Sequence, residues 1–285
     1  MNNNKYEIEK ENRMNKKYEF VFITLVYRDT TDILEFISSV KEKISNYKIV
    51  IVNAHFDKET DNILAQIAKK NNCDIINIDN GGYGYGNNKG INYVNNKYIY
   101  DYLVIANPDT VVEYIDIIGL KKIKNGVIAP VIRNLKGKNQ NPYWAKKCDL
   151  GEWLIYKGCL LNKRFVSCIG YVINRIVREI CLFKVRRKSE YIKEIFAAHG
   201  SFLIFSCSVI DKLGELYDDK IFMFAEEADL AYKLKKNKIK TYYTNYIRIC
   251  HKEDGCIKQS NINENEIYKN SIIYYYEKVK RNKNR

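Results

Sequence analysis

Several features are missing from this 285-residue sequence, and each absence removes a class of protein. No run reaches the roughly 18 unbroken apolar residues that a helix needs to cross a bilayer, so a protein anchored by membrane-spanning helices is excluded. The N-terminal stretch through Tyr18 is polar and charged, with no apolar core of the signal-peptide kind, and a cytoplasmic protein is expected. The eight cysteines include no Cys-x-x-Cys pair, and most sit among apolar residues, as reduced thiols acting as small hydrophobes do. Acids are scarce too: 34 against 48 Lys and Arg, for a net charge of +14. That balance favours anionic partners: nucleotide phosphates, nucleic acid or an anionic membrane surface. The charge is densest at 184–188 and 278–285, which points to a surface and not to a pocket.

What is present is an alternation of short apolar runs with helical periods. Strands are expected at 18–27, 48–53 and 74–79. Between them, Ile33, Ile37, Val40 and Ile44 mark one amphipathic helix, opened by a capping-box spacing at Asp32 and Glu35, and Ile63, Leu64, Ile67 and Ala68 mark a second. Residues 102–106 form an apolar, β-rich run that Pro108 stops, as a buried parallel strand would end. This βαβαβαβ opening predicts one α/β domain with a central, mostly parallel sheet and helices on both faces. Residues 1–17 read as a charged arm, and 133–164 show no period.

Five features carry possible chemistry. Asp109 follows the strand's carboxyl end, where open α/β sheets bind ligands, and with Asn107 it suits a hydrated divalent cation and its phosphates; a turn or helix N-cap is the alternative. The segment Asn80-Gly-Gly-Tyr-Gly-Tyr-Gly-Asn-Asn-Lys-Gly90 fits neither the dinucleotide fingerprint nor a P-loop, and Asn87 and Asn88 at a helix start suggest a polar contact surface. Glu226, Glu227 and Asp229 open a helix. Capping accounts for one or two acids there; Glu226 and Asp229 share a face, leaving Glu227 free to act as a general base. Finally, 165–183 is strongly amphipathic, and either packs on the core or lies on anionic lipid. His251, after a late strand, is equally structural or a ligand.

In this order and spacing the segments resemble the family 2, GT-A fold glycosyltransferases, especially bacterial enzymes that build capsular and other surface polysaccharides. The resemblance runs from about Phe20 to Lys278. It rests on Thr24-Leu-Val-Tyr27, Ile49-Val-Ile-Val-Asn53, the glycine-rich segment, Asn107-Pro-Asp109, His199-Gly-Ser-Phe202, Glu226-Glu-Ala-Asp-Leu230, His251 and 269–278. It implies a Rossmann-like nucleotide-binding half at 18–132, an acceptor half at 133–255 and a C-terminal helix and basic tail at 256–285. It implies inverting transfer of a hexosyl group from a nucleotide-sugar, a UDP-sugar first, to a hydroxyl of a saccharide or lipid-linked saccharide. Asp109 and His251 would hold Mg²⁺ or Mn²⁺, and Glu227, beside Glu226 and Asp229, would supply the base. Asn53, Asp79, Asn80, Gly84, Asn87, Asn88, Lys89, Asn107, Asp109, His199 and Gly200 would line the donor site. Two departures from the family pattern stand out: Val52-Asn53 replaces an Asp-Asn pair that contacts uracil, and Tyr27-Arg28 replaces Tyr-Asn.

Three rivals fit less well. A sugar nucleotidyltransferase should carry a glycine-rich, Arg-containing loop after the first strand, and Val26-Tyr-Arg-Asp-Thr30 has no glycine. A nucleic-acid-binding protein should concentrate its charge on one reading element, which this chain does not, so no nucleic-acid partner is expected. A fold that only binds saccharide would have no need of Asp109 and Glu227.

Overall fold

A computed structural model describes residues 17–183, 189–253 and 263–283. The arm before position 17, the basic cluster at 184–188 and the last two residues lie outside them. The first half of the chain runs β1 (Lys17–Val26), α1 (Ile33–Lys43), β2 (Tyr47–Ala54), α2 (Lys58–Lys70), β3 (Asp74–Ile78), α3 (Tyr83–Asn95), β4 (Ile99–Ala106), β5 (Thr110–Ile115), the short α4 (Ile117–Leu120) and β6 (Val127–Asn134). It continues with α5 (Asp149–Leu160), α6 (Arg164–Phe183), β7 (Ile192–Ile195), β8 (Phe202–Ser206), α7 (Cys207–Leu213), α8 (Glu226–Lys236), β9 (Thr241–His251) and α9 (Glu264–Lys283).

Alternation along β1 creates two buried faces. Phe20 and Phe22 point to one side, where α1 and α2 cover them with Ile33, Phe36, Val40 and Leu64. Val21 and Ile23 point to the other, under Ile91 and Val94 of α3 and Leu230 and Leu234 of α8. The strand order is β3-β2-β1-β4-β8-β6-β9-β5, with β7 beside the first part of β9. The expected mostly parallel sheet is mixed. β3, β2, β1 and β4 are parallel, whereas β8 runs against both β4 and β6, and β9 pairs parallel with β6 but antiparallel with β5 and β7. The chain moves outward from β1 through β2 to β3 and then returns to β1's other side for β4. Such a reversal opens a crevice at the strands' carboxyl ends.

Local departures have local causes. No capping box forms at α1, because Asp32 instead accepts from Lys252 Nζ at 2.7 Å and Glu35 pairs with the same ammonium. The helix after the glycine-rich segment begins at Tyr83, inside it. There the glycines serve close packing: a Cβ on Gly84 would sit 2.8 Å from Tyr217 Cβ, and one on Gly86 2.6 Å from Leu25 Cδ1. Within the stretch that showed no period lies α5, whose Gly151 and Gly158 let it approach α6: a Cβ on Gly158 would be 2.5 Å from the Ser167 amide nitrogen. All seven described cysteines are free thiols, as expected. No helix among the described residues is long and apolar enough to cross a membrane.

Candidate active site

The crevice at the end of β4 is organised by two turns tied together. Asn107 donates its amide to the Ser201 carbonyl at 2.8 Å, while its own carbonyl accepts from the Thr110 amide and hydroxyl at 3.2 and 2.6 Å. Asp109 is thereby fixed between β4 and β5, only 4% exposed. Because Thr110 lies opposite His251 in the β5–β9 register, the neighbouring side chains converge: His251 Nε2 stands 3.3 Å from Asp109 Oδ2. The tautomer follows from the hydrogen-bond chain behind it. Glu253 can only accept, so it takes the Gln140 amide N–H at 2.6 Å; Gln140 Oε1 then faces His251 Nδ1 at 2.8 Å, and that nitrogen carries the proton. His251 Nε2 is thus the ring nitrogen turned to the Asp109 carboxylate, and an Asp oxygen with an imidazole nitrogen so placed could hold Mn²⁺ or Mg²⁺. Among the described residues no cluster of three metal-ligating side chains exists, so oxygens from a diphosphate and water would complete the shell.

The 199–201 loop joins this pair to the carboxylates of α8. The His199 ring lies 5.5 Å from that of His251, and its Nδ1 is 2.9 Å from Ser201 Oγ. Burial drives the His199 imidazole down to about 3, with repulsion from His251 adding to it, so this ring stays neutral. On the loop's other side, the Gly200 amide donates to Glu227 Oε1 at 3.3 Å and the Gly200 carbonyl accepts from the Tyr83 hydroxyl at 2.9 Å. A Cβ on Gly200 would stand 3.0 Å from Glu227 Oε1, so any larger residue there would press on that carboxylate. Two successive left-handed residues, Phe224 and Ala225 with φ of 68° and 74°, aim the first turn of α8 at the loop. Non-glycine residues held in that region are strained by about 1 kcal/mol or more each, and such strain collects at functional sites. Burial pushes the carboxyls of both Glu226 and Glu227 upward, Glu226 the further, with Glu227's charge adding to it. Glu226 Oε1 has no hydrogen-bond partner among the described residues.

Asp229 does not join them. It accepts from Lys278 at 2.6 Å, and that ammonium also holds Asp218 at 2.8 Å. It lines a separate cavity of about 800 Å³ with Tyr217, Tyr232 and Lys233. The donor-side residues divide in the same way. Asn107, His199 and Gly200 reach the crevice with Asp109, but Asn88 is saturated by the chain itself, donating to the Tyr217 carbonyl and Asp219 and accepting from the Leu216 and Tyr217 amides. Asn87 is buried in α3, donating to the Tyr83 carbonyl, and Asn53 is buried beneath β2's end, donating to Asp61 and Asn77. Gly84 packs on Tyr217, while Asp79, Asn80 and Lys89 are exposed beyond β3, Lys89 lying 4.9 Å from the Tyr85 ring. Arg28, at the end of β1, stacks 4.2 Å over Phe56. Gln140, Asn141 and Glu253 went unread in the sequence. Asn141 Oδ1 accepts from the His199 amide at 2.7 Å, and the mark these residues leave is a run of amides before a proline, Asn139-Gln-Asn-Pro142.

No family model matches the chain. Over 173 residues it is 28% identical to the low-salt glycan biosynthesis hexosyltransferase Agl10 of Haloferax volcanii, covering 58% of this chain and 48% of that protein. The chain thus spans about half the length of that relative. Among solved structures, GalNAc-T7 with UDP, GalNAc and Mn²⁺ superposes over 82% of this chain and 44% of its own, with a TM-score of 0.58 and 12% identity. Staphylococcus aureus TarS, residues 1–349, aligns over 80% of this chain and 60% of its own, at a TM-score of 0.49 and 12% identity. The fold is the GT-A fold of glycosyltransferases. Within that class, the sequence likeness is to a hexosyltransferase of glycan biosynthesis.

Proposed function

We propose that the protein is an inverting hexosyltransferase, moving a sugar from a nucleotide-sugar to a hydroxyl of a saccharide or lipid-linked saccharide. The observation that carries this reading is the 199–201 loop, with the Asp109–His251 pair on one side and Glu227 on the other. That arrangement separates a site for the leaving diphosphate from a carboxylate raised towards neutrality. Glu227 takes the acceptor proton as the acceptor oxygen attacks the anomeric carbon, and the carbon–diphosphate bond breaks on the opposite face, inverting the centre. Asp109 and His251 would hold Mg²⁺ or Mn²⁺, which when bound offsets charge on the diphosphate. GalNAc-T7 holds UDP and Mn²⁺ on the same fold, and this supports a UDP-sugar as the first donor to test. The glycan biosynthesis relative supports a place in glycan assembly, which we take to be surface polysaccharide assembly on the cytoplasmic side.

Thermal shift tests the donor site directly. UDP, GDP, CMP and dTDP are offered with and without Mn²⁺ to wild type and Asp109→Ala. One nucleotide at a hundred times its Kd should raise the wild-type Tm by about 5 °C only with metal, and the variant should lose that shift. No shift with any nucleotide removes the transferase reading.

A further inference from the structure

The face that α6 turns to solvent is the wrong one for a helix of a freely soluble domain. Phe165 is 76% exposed, Val172 55%, Ile176 54%, Ile180 71% and Phe183 59%. The buried residues are Ser167, Gly170 and Asn174, which face α5, and Leu182, which joins the main core near the helix end. Small residues decide this orientation: a Cβ on Gly170 would be 2.6 Å from the Gly151 carbonyl oxygen, so only this face lets the two backbones come so close. In α5 the same hairpin exposes Trp153 at 44% and Leu160 at 46%. Around the apolar stripe the charge is of one sign. Between positions 163 and 183 the helix and its approach carry four basic residues, Lys163, Arg164, Arg175 and Arg178, and one acid, Glu179, which pairs with Arg178 at 3.3 Å.

We propose that the α5–α6 hairpin is a docking surface for an anionic lipid bilayer, on which α6 lies flat with its apolar stripe among the acyl chains. An amphipathic helix with aromatic and aliphatic residues on one face and Lys and Arg beside them has the chemistry of the membrane interface. A second copy of the chain fits worse, because joining two such stripes would bring two basic sets together. The hairpin is also continuous with the proposed catalytic centre. Tyr171 of α6 lines one small cavity together with Tyr143, Ala225 and Ala228, and the two alanines flank Glu226 and Glu227. Docking would therefore set the acceptor side of the site at the lipid surface. In naming a lipid-linked acceptor this rests on the transferase reading; the docking itself does not.

Sedimentation with vesicles tests the surface without donor or acceptor, so its outcome is independent of activity. Wild type should bind phosphatidylcholine vesicles containing phosphatidylglycerol at least tenfold more tightly than phosphatidylcholine alone. Ile176→Asp with Ile180→Asp, both at exposed positions, should lose at least tenfold while keeping the wild-type Tm. Absence of binding to the anionic vesicles, equal binding to both compositions, or binding unchanged in the double variant each overturns the proposal. So does a wild-type dimer in sedimentation velocity that the double variant converts to monomer without any vesicle binding.

Discussion

Asp74 and the Glu226–Glu227 pair are all carboxylates drawn out of water, and the fold treats them in opposite ways. Asp74, at the start of β3, takes Lys48 at 3.0 Å, Lys97 at 2.8 Å and the Tyr93 hydroxyl at 2.9 Å, with the Tyr98 hydroxyl as a fourth donor. Burial alone would raise its carboxyl; the bonds from Lys97, Tyr98, Lys48 and Tyr93 outweigh it and hold the group at about 2. Glu226 and Glu227 sit at the start of α8, where the helix dipole helps, but no described lysine or arginine forms an ion pair with either, and burial raises both. One carboxylate fastens the sheet edge. The others are left ready to take a proton, as a base working near neutral pH requires.

The largest break in this comparison should come at Glu227. Glu227→Gln keeps the shape and removes the base, so kcat should fall about a thousandfold, or ~4 kcal/mol in barrier, with donor affinity within twofold of wild type. Steady-state transfer together with nucleotide titration checks this; a kcat within tenfold of wild type moves the base to Glu226. Next is Asp74→Asn, which leaves the Lys48 ammonium, 9% exposed, without its counterion. Breaking such a pair should destabilise the fold by about 3 kcal/mol in urea unfolding. Because the Asp74 carboxyl is depressed in the folded state, its contribution is present above the ordinary value of 3.8 and lost as pH falls through about 2. The two curves should therefore converge in strong acid.

How legible these regions were depends on distance along the chain. The parallel half-sheet is local: each strand carries its own apolar run, and alternation in β1 is enough to assign Phe20 and Val21 to opposite faces. Asp109 was legible because Pro108 marks the strand's end beside it. What escaped was pairing between remote segments. Nothing near Asp229 shows that Lys278 claims it, and nothing near Asn88 shows that 216–217 saturates it. The glycines of α3 and α5 misled for one reason. Glycine lowers helix propensity locally by about 1 kcal/mol, and its compensation, a closer neighbour, is tertiary. The same cause hid the orientation of α6: period alone says that one face is apolar, while Gly151, Gly158 and Gly170 decide which face turns inward.

The smallest effect sharpens the comparison most. The Glu226 carboxyl is raised by burial and then by Glu227, so between its ordinary value of 4.5 and the folded value the native state holds a proton that the unfolded chain has released. Wild-type stability therefore falls as pH rises through that window, the reverse of Asp74. Glu226→Gln removes the titration and the buried charge. It should stabilise the fold by about 1 kcal/mol at pH 8 and give no advantage below pH 4.5, read as the difference in urea midpoints across pH. A variant less stable than wild type at pH 8 would mean that the Glu226 charge is compensated, and the contrast with Asp74 would then rest on Glu227 alone.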